Sequence, residues 1–402
     1  MKATRLAVLA AASLALGACD LSVENPGPIP DAELNTPGAM PALVNGMSAD
    51  LSVAVDLMAR YGSVLSDELA HSGNYAAEGY FYRGVVPPEN VNDVWGDMQR
   101  ARWVAEHGIG RLKEVLGSGF EASPLAIRAN LYAGYANRVL GENVCDAVID
   151  NGSKQAYTEH FKRAETYFTE ALRLAQAQNN TALANAALAG RAQVRADLGN
   201  WDGAAQDAAL VPTSFRFDAV YSTNTERENN SLAYETQTRR EYTVYNTQWA
   251  ANSSKDPRVP WDTIKTSAGK LQTGQDGKTP FFRQMKYKGL DAEIPLAKGA
   301  EMLLIRAEAA LRKGDVPGAL ALVNQERASY GLAPAIAATL ADAWPLLQKE
   351  RGAVTWLETR RLGDLRRWFT ASGPEKNNFL QGRATCVPIS DEEMHSNPNL
   401  AG

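Results

Sequence analysis

Cys19 is the residue best placed for covalent chemistry. It closes an apolar run from Leu6 to Leu16, directly after the small pair Gly17-Ala18, with Lys2 and Arg5 ahead of the run. A bilayer span takes about 20 apolar residues, so a leader of this length has the form of a cleaved lipoprotein signal rather than of a spanning helix. Cleavage before Cys19 leaves a thiol that can take lipid. At roughly 0.8 kcal/mol per buried methylene, a multiply acylated cysteine holds a soluble domain on a membrane. Residues 1–18 are therefore expected to be lost from the mature chain, with Cys19 as its anchor. Cys145 and Cys386 remain as an even pair in an exported chain and are expected to form a disulfide; two separate buried thiols are the alternative.

Two stretches have the residue types for non-covalent capture of a sugar: flat apolar rings beside amides and guanidinium groups. One runs from His71-Ser72-Gly73-Asn74-Tyr75 through Tyr80-Phe81-Tyr82-Arg83; the other runs from Trp249 to Trp261 and includes Asn252 and Arg258. Asn74, Tyr80, Tyr82, Arg83, Trp249 and Trp261 are the expected ligand contacts, and the plainer alternative is that such rings pack loops onto the core. Arg258 reads as structural. Catalysis finds little footing. His71, His107, His160 and His395 are scattered, and there is no H-E-x-x-H, Cys-x-x-Cys, G-x-S-x-G or phosphate-binding glycine loop. Asp67-Glu68 is a carboxylate pair whose expected role is to cap or solvate a helix end. No catalytic residue, metal or cofactor is assigned, and the chain is expected not to be an enzyme. A glycosidase would need carboxylates facing each other across a cleft.

These residues sit on a mostly helical frame. Asn25-Pro26-Gly27-Pro28-Ile29-Pro30 reads as an extended tether. From Pro41 to Leu210, apolar residues recur at three to four positions, as in Leu43, Met47, Leu51, Val55, Met58 and in Trp95, Met98, Arg102, Trp103, Leu112. Arg191-Ala192, Gly199-Asn200 and Ala204 recur as Arg306-Ala307, Gly314-Asp315 and Ala319 at a constant offset, each unit a helix, a Gly-polar turn and a second helix. Such units predict tetratricopeptide-like helix pairs. Between them, residues 211–295 lose this periodicity and collect Tyr242, Tyr245, Trp249, Trp261, Phe281, Phe282 and Tyr287 among polar residues. An irregular segment of that length is usually functional. One last long helix is expected from Asp342 to Trp368, and Trp95, Trp356 and Trp368 are expected in the core. The net charge of −5 becomes −7 when Lys2 and Arg5 leave with the leader, which speaks against nucleic acid and leaves membrane attachment to the lipid.

The C-terminal third brings a resemblance. Glu350-Arg351, Glu358, Arg361, Asp364-Leu365 and Arg367-Trp368 resemble the E-R-x-x-E-L-x-x-E-G-x-R-x-x-D-L-x-R-W helix of the SusD/RagB family of nutrient-binding lipoproteins, with Val354 and Thr359 where that family often has Glu and Gly. Pro388-Ile389, Glu393-Met394 and Asn397-Pro398-Asn399-Leu400 are similar to its closing P-I-P-x-x-E-I-x-x-N-P-N-L. Upstream, Glu301 to Gly314, Asp256-Pro257-Arg258 and Asn92 to Trp103 follow in the family's order. The resemblance implies a mainly α protein of SusD-like helix pairs with a long irregular ligand-binding region. In that reading residues 19–40 are the lipidated tether and residues 41–402 a single domain, with 211–295 as its loop-rich insertion. It also implies a lid on a TonB-dependent, SusC-like barrel at the outer-membrane surface, capturing oligosaccharides or peptides. The alternative is a tetratricopeptide-type scaffold lipoprotein for envelope assembly.

Overall fold

The computed structural model describes residues 34–251 and 256–400, so the leader, Cys19, the 25–30 stretch and Asn252 lie outside the described residues. Seven helices come first: α1 (Met40–Leu65), α2 (Ala76–Tyr82), α3 (Asn92–Leu116), α4 (Pro124–Asn143), α5 (Thr158–Ala177), α6 (Thr181–Asp197) and α7 (Trp201–Leu210). In α1, Met40, Val44, Met47, Leu51, Val55 and Met58 are all buried. Their spacing forms the stripe by which a helix packs on its neighbours. By length and composition this helix could cross a membrane, yet its stripe belongs to the main apolar core with Trp95, Met98 and Leu112 of α3. Trp103 departs from the expected series. It lies about 100° round the helix from Arg102, and is 49 % exposed while Arg102 is buried.

Short strands form two-stranded antiparallel ribbons: β1 (Ala70–His71) with β5 (Tyr242–Thr243), β2 (Asp146–Ala147) with β3 (Gln155–Ala156), β4 (Arg216–Ala219) with β8 (Ile294–Lys298), and β6 (Trp261–Thr263) with β7 (Phe282–Gln284). Strands β4 to β8 begin within the 211–295 region, which is otherwise mostly irregular. The repeat is present as helix pairs α6–α7 and α8 (Gly299–Arg312) with α9 (Val316–Ser329). Gly199 and Gly314 both take φ +79° at the turns, a conformation glycine adopts without steric cost. Asn200 and Asp315 then accept the amides of Gly203 at 3.0 Å and Gly318 at 2.8 Å, capping the second helix of each pair.

The expected long helix is two, α10 (Leu340–Val354) and α11 (Arg361–Phe369), followed by the short α12 (Asp391–Ser396). The break follows from backbone geometry: Leu357 and Thr359 take φ +59° and +68°, and the Leu357 amide donates to the buried Glu68 carboxylate at 2.6 Å. The charges flanking this break are structural, as expected, but buried. Asp364 accepts from Arg351 at 2.6 Å and from Arg367 at 2.8 Å, and Glu301 accepts from Arg360 at 3.1 Å and Gln193 at 2.6 Å. Arg258 is likewise buried, bound to Glu326 at 2.8 Å and Glu350 at 2.6 Å. Cys145 and Cys386 form a disulfide across 241 residues. Beside it Val144 and Val387 make a parallel bridge, so the C-terminal segment is fastened to the end of α4.

Candidate functional site

α1 ends at Leu65, and the chain turns directly into a cleft of about 610 Å³ lined by Asp67, Tyr82, Asn246, Gln248, Arg361, Phe379 and Arg383 among others. Asp67 is held by Arg361 through two hydrogen bonds, Nε to Oδ1 at 2.7 Å and Nη2 to Oδ2 at 2.6 Å. This planar fork fixes both groups. The side-chain amide of Gln248 also donates to Asp67. The far wall comes from the tail: Arg383 stacks on Phe379 at 5.0 Å and donates to the carbonyls of Leu65 at 3.2 Å and Tyr82 at 3.0 Å. Its position is set three residues ahead of the disulfide.

Beside the cleft, the loop after β1 is folded around Glu241. That carboxylate accepts from the Tyr75 amide at 2.8 Å and contacts His71 Nε2 at 3.2 Å. Burial alone would raise the Glu241 pKa, but these hydrogen bonds hold it below the ordinary carboxylate range. Gly73 is required here, because a Cβ would fall 1.8 Å from the Glu241 carboxyl carbon. The loop presents Asn74, which accepts from Arg239 at 3.4 Å, and α2 presents Tyr80, 42 % exposed with Arg83 over its ring at 4.8 Å. On the other flank, Trp261 stacks on Phe282 at 4.9 Å and 11°, and Tyr245 meets the same ring edge-on at 5.2 Å.

One segment, residues 241–248, ties the three regions together. Glu241 anchors the loop, β5 pairs with β1, and Val244 donates to the Phe282 carbonyl at 2.9 Å. Asn246, at φ +62°, reaches the Tyr82 hydroxyl at 3.4 Å. Tyr82 and Tyr80 are both on α2 but two residues apart, so Tyr82 lines the cleft and Tyr80 does not. Of the six expected contacts, Tyr82 lines the cleft; Asn74 is on the loop after β1, Tyr80 on α2, Arg83 at its end, and Trp261 on β6, joined to the cleft only through residues 241–248. Trp249 is a correction. It is 3 % exposed and sits beneath Arg361, whose guanidinium is 5.8 Å from the indole; as placed, it braces the cleft from behind and cannot stack on a ligand. Asp67 also departs from expectation, pairing with Arg361 rather than capping a helix. Asn246, Gln248, Phe379 and Arg383 were not foreseen, since no local spacing marks a polar loop residue or a tail residue that meets the site only through the fold.

Residues 175–385 match the profile of the SusD family. No curated protein matches the chain in sequence. Similar solved structures include a SusD-like carbohydrate binding protein from Bacteroides vulgatus, at 15 % identity and TM-score 0.64 over 91 % of this chain and 97 % of that one. A SusD-like protein from Bacteroides fragilis aligns at 14 % identity and TM-score 0.68 over 92 % and 97 %. NanU of B. fragilis aligns at 12 % and 0.66 over 91 % and 96 %. The profile spans the irregular segment, the second helix pair, the charged helices around Thr359 and the tail as far as Thr385, more than half of the chain, and on that basis the chain belongs to the SusD family.

Proposed function

We propose that this chain is a nutrient-binding lipoprotein that captures oligosaccharides, with peptides as the alternative cargo, and delivers them to a TonB-dependent, SusC-like barrel transporter. The observation that carries this reading is the cleft in which the Tyr82 ring meets the side-chain amides of Asn246 and Gln248, with the Tyr245–Phe282–Trp261 ring stack joined to it through residues 241–248. Half-open rings supply stacking surfaces for pyranose faces, and planar amides supply paired donors and acceptors for hydroxyls. The similar fold of a B. vulgatus protein named as carbohydrate binding supports a glycan over a peptide. Asp67, the one carboxylate lining the cleft among the described residues, is tied to Arg361, which supports capture without hydrolysis. In this reading residues 1–18 are removed, Cys19 carries the lipid, 19–40 form the tether, and 41–402 form one domain that acts as a lid at the outer-membrane surface.

Calorimetric titration with a panel of neutral oligosaccharides and short peptides tests it. Tyr82→Ala and Asn246→Ala should each weaken the bound ligand about tenfold, or 1.4 kcal/mol, whereas Arg306→Ala, on the second helix pair, should leave it unchanged. Full affinity in both cleft variants would reject this face as the site. Radiolabelled palmitate should enter the wild type and not Cys19→Ala.

A further inference from the structure

We infer that a second cleft, at the opposite end of α1, binds a neutral pyranose unit. Trp103 on α3 is 49 % exposed, and its indole stacks on His107 with centroids 4.2 Å apart and planes at 25°. The two rings, with Glu106, Gly110, Asp150 and Arg163, line a cavity of about 610 Å³. A single exposed ring needs no explanation, but this one stands in a cavity with an unexplained glycine. Gly110 lies seven residues beyond Trp103, on the same face, and a Cβ there would meet nothing within 4 Å. No packing demands a residue that weakens a helix interior; its effect is to keep the cleft open beside the rings.

The polar groups point to an uncharged ligand. Arg163 binds Glu106 through two hydrogen bonds, at 3.1 and 2.6 Å, and Arg102 joins Glu106 at 2.9 Å to Asp150 at 3.0 Å. These charges neutralise one another in place, and the other two that line the cleft, Arg111 and Glu114, are one of each sign, which leaves little net field for an ion but holds carboxylate lone pairs and guanidinium N–H groups at set positions for hydroxyls. His107 Nδ1–H donates to the Trp103 carbonyl at 3.0 Å, so Nε2 is the ring atom left for a ligand hydroxyl. Aromatic faces beside neutralised planar polar groups suit a pyranose. This argument does not rest on the cleft at Tyr82.

Leu43, in the first turn of α1, lines this second cleft, and Ser66, just past its C-terminus, lines the first. At 1.5 Å rise per residue the two lie ~35 Å apart along the helix. A polysaccharide reaching both would gain avidity that a short oligosaccharide lacks.

The test is calorimetric titration of the full chain with maltoheptaose, cellohexaose, xylohexaose and mannohexaose, and with soluble starch, xylan and mannan. Trp103→Ala should weaken one of the oligosaccharides at least tenfold, and that binding should persist in a Tyr82→Ala/Asn246→Ala double variant. Gly110→Leu fills the cleft while favouring the helix, so a matching loss there cannot be unfolding. The polysaccharide should lose more affinity than its oligomer in each single-cleft variant. If no ligand of the panel binds in a manner that depends on Trp103 and on an open Gly110 position, the proposal is overturned and the Trp103 face is left to a protein partner.

Discussion

At the scale of single residues, two positions reveal how the fold balances strain and buried charge. Thr359 is a β-branched residue at φ +68°, 3 % exposed, with its hydroxyl unpartnered among the described residues. A left-handed backbone there costs an L-residue roughly 1–2 kcal/mol, and this is the position where the family often has Gly. Thr359→Gly should therefore raise the unfolding free energy by about 1 kcal/mol, the conformational gain exceeding the small loss of packing. A lower denaturant midpoint for the variant would contradict the strain argument. Asp364 presents the opposite case. Burial opposes its ionisation, but Arg351 and Arg367 hold its carboxyl below the usual range. Asp364→Ala would leave the buried Arg351 with Glu301 as its remaining carboxylate partner and Arg367 with Glu308 and Asp197, so a loss of about 3 kcal/mol is expected in urea unfolding.

At the scale of elements, the C-terminal segment is the tail that builds a wall of the cleft. Its disulfide to Cys145 closes a loop of 241 residues, and between Phe379 and Cys386 the chain also donates from Ala384 to the Gly84 carbonyl at 2.7 Å. Removing such a bridge typically costs about 2–5 kcal/mol, chiefly by enlarging the unfolded ensemble. Cys386→Ser should show that loss and should also weaken the cleft ligand, because Arg383 and Phe379 lose their anchor. Equal stability of wild type and variant under non-reducing conditions would mean that the Val144–Val387 pairing alone secures the tail. The helix pairs need no such clamp, since Gly199 and Gly314 turn each one and Asn200 and Asp315 cap it.

At the scale of the whole molecule, stability against pH is a sum of opposed titrations. His160 is buried, donates from Nδ1 to Asn137 at 3.0 Å, and is pulled down to about 3 by desolvation and by Arg102 and Arg163. Its folded pKa lies below the unfolded value near 6.5, so its contribution is present above 6.5 and is lost as pH falls toward 3. Glu68 is pushed up to about 8 by burial, with Asp67 adding and the Leu357 amide, Arg361 and Lys286 opposing. Its contribution is present below about 4.5 and is lost as pH rises toward 8. His160→Gln should narrow the gap between its stability and that of wild type as pH falls below 6.5, by up to about 1.4 kcal/mol per unit, and Glu68→Gln should do the same as pH rises above 4.5. Parallel stability–pH curves for either pair would refute that assignment. Much of the architecture was legible in the chain alone: the stripe of α1, the two Gly-polar turns and the signature around Arg361 are written at short spacing, because helical periodicity, capping and turn chemistry are local, while the pairing of Cys145 with Cys386 followed from cysteine count and not from spacing. The site was legible only in part. Tyr82 and Trp261 could be picked out by residue type, but Trp249 has the same type and is buried, and Trp103 sat in an apolar series yet faces water. Asn246, Gln248, Phe379 and Arg383 meet Asp67 across separations of 179 residues and more. What the sequence by itself determined is the helical stripes, the two Gly-polar turns and the family they belong to; the break at Leu357 and Thr359, set by the distant Glu68, and which rings stay open to a ligand were decided only by the tertiary packing, because exposure is a property of what lands on a side chain and not of the residues beside it in the chain.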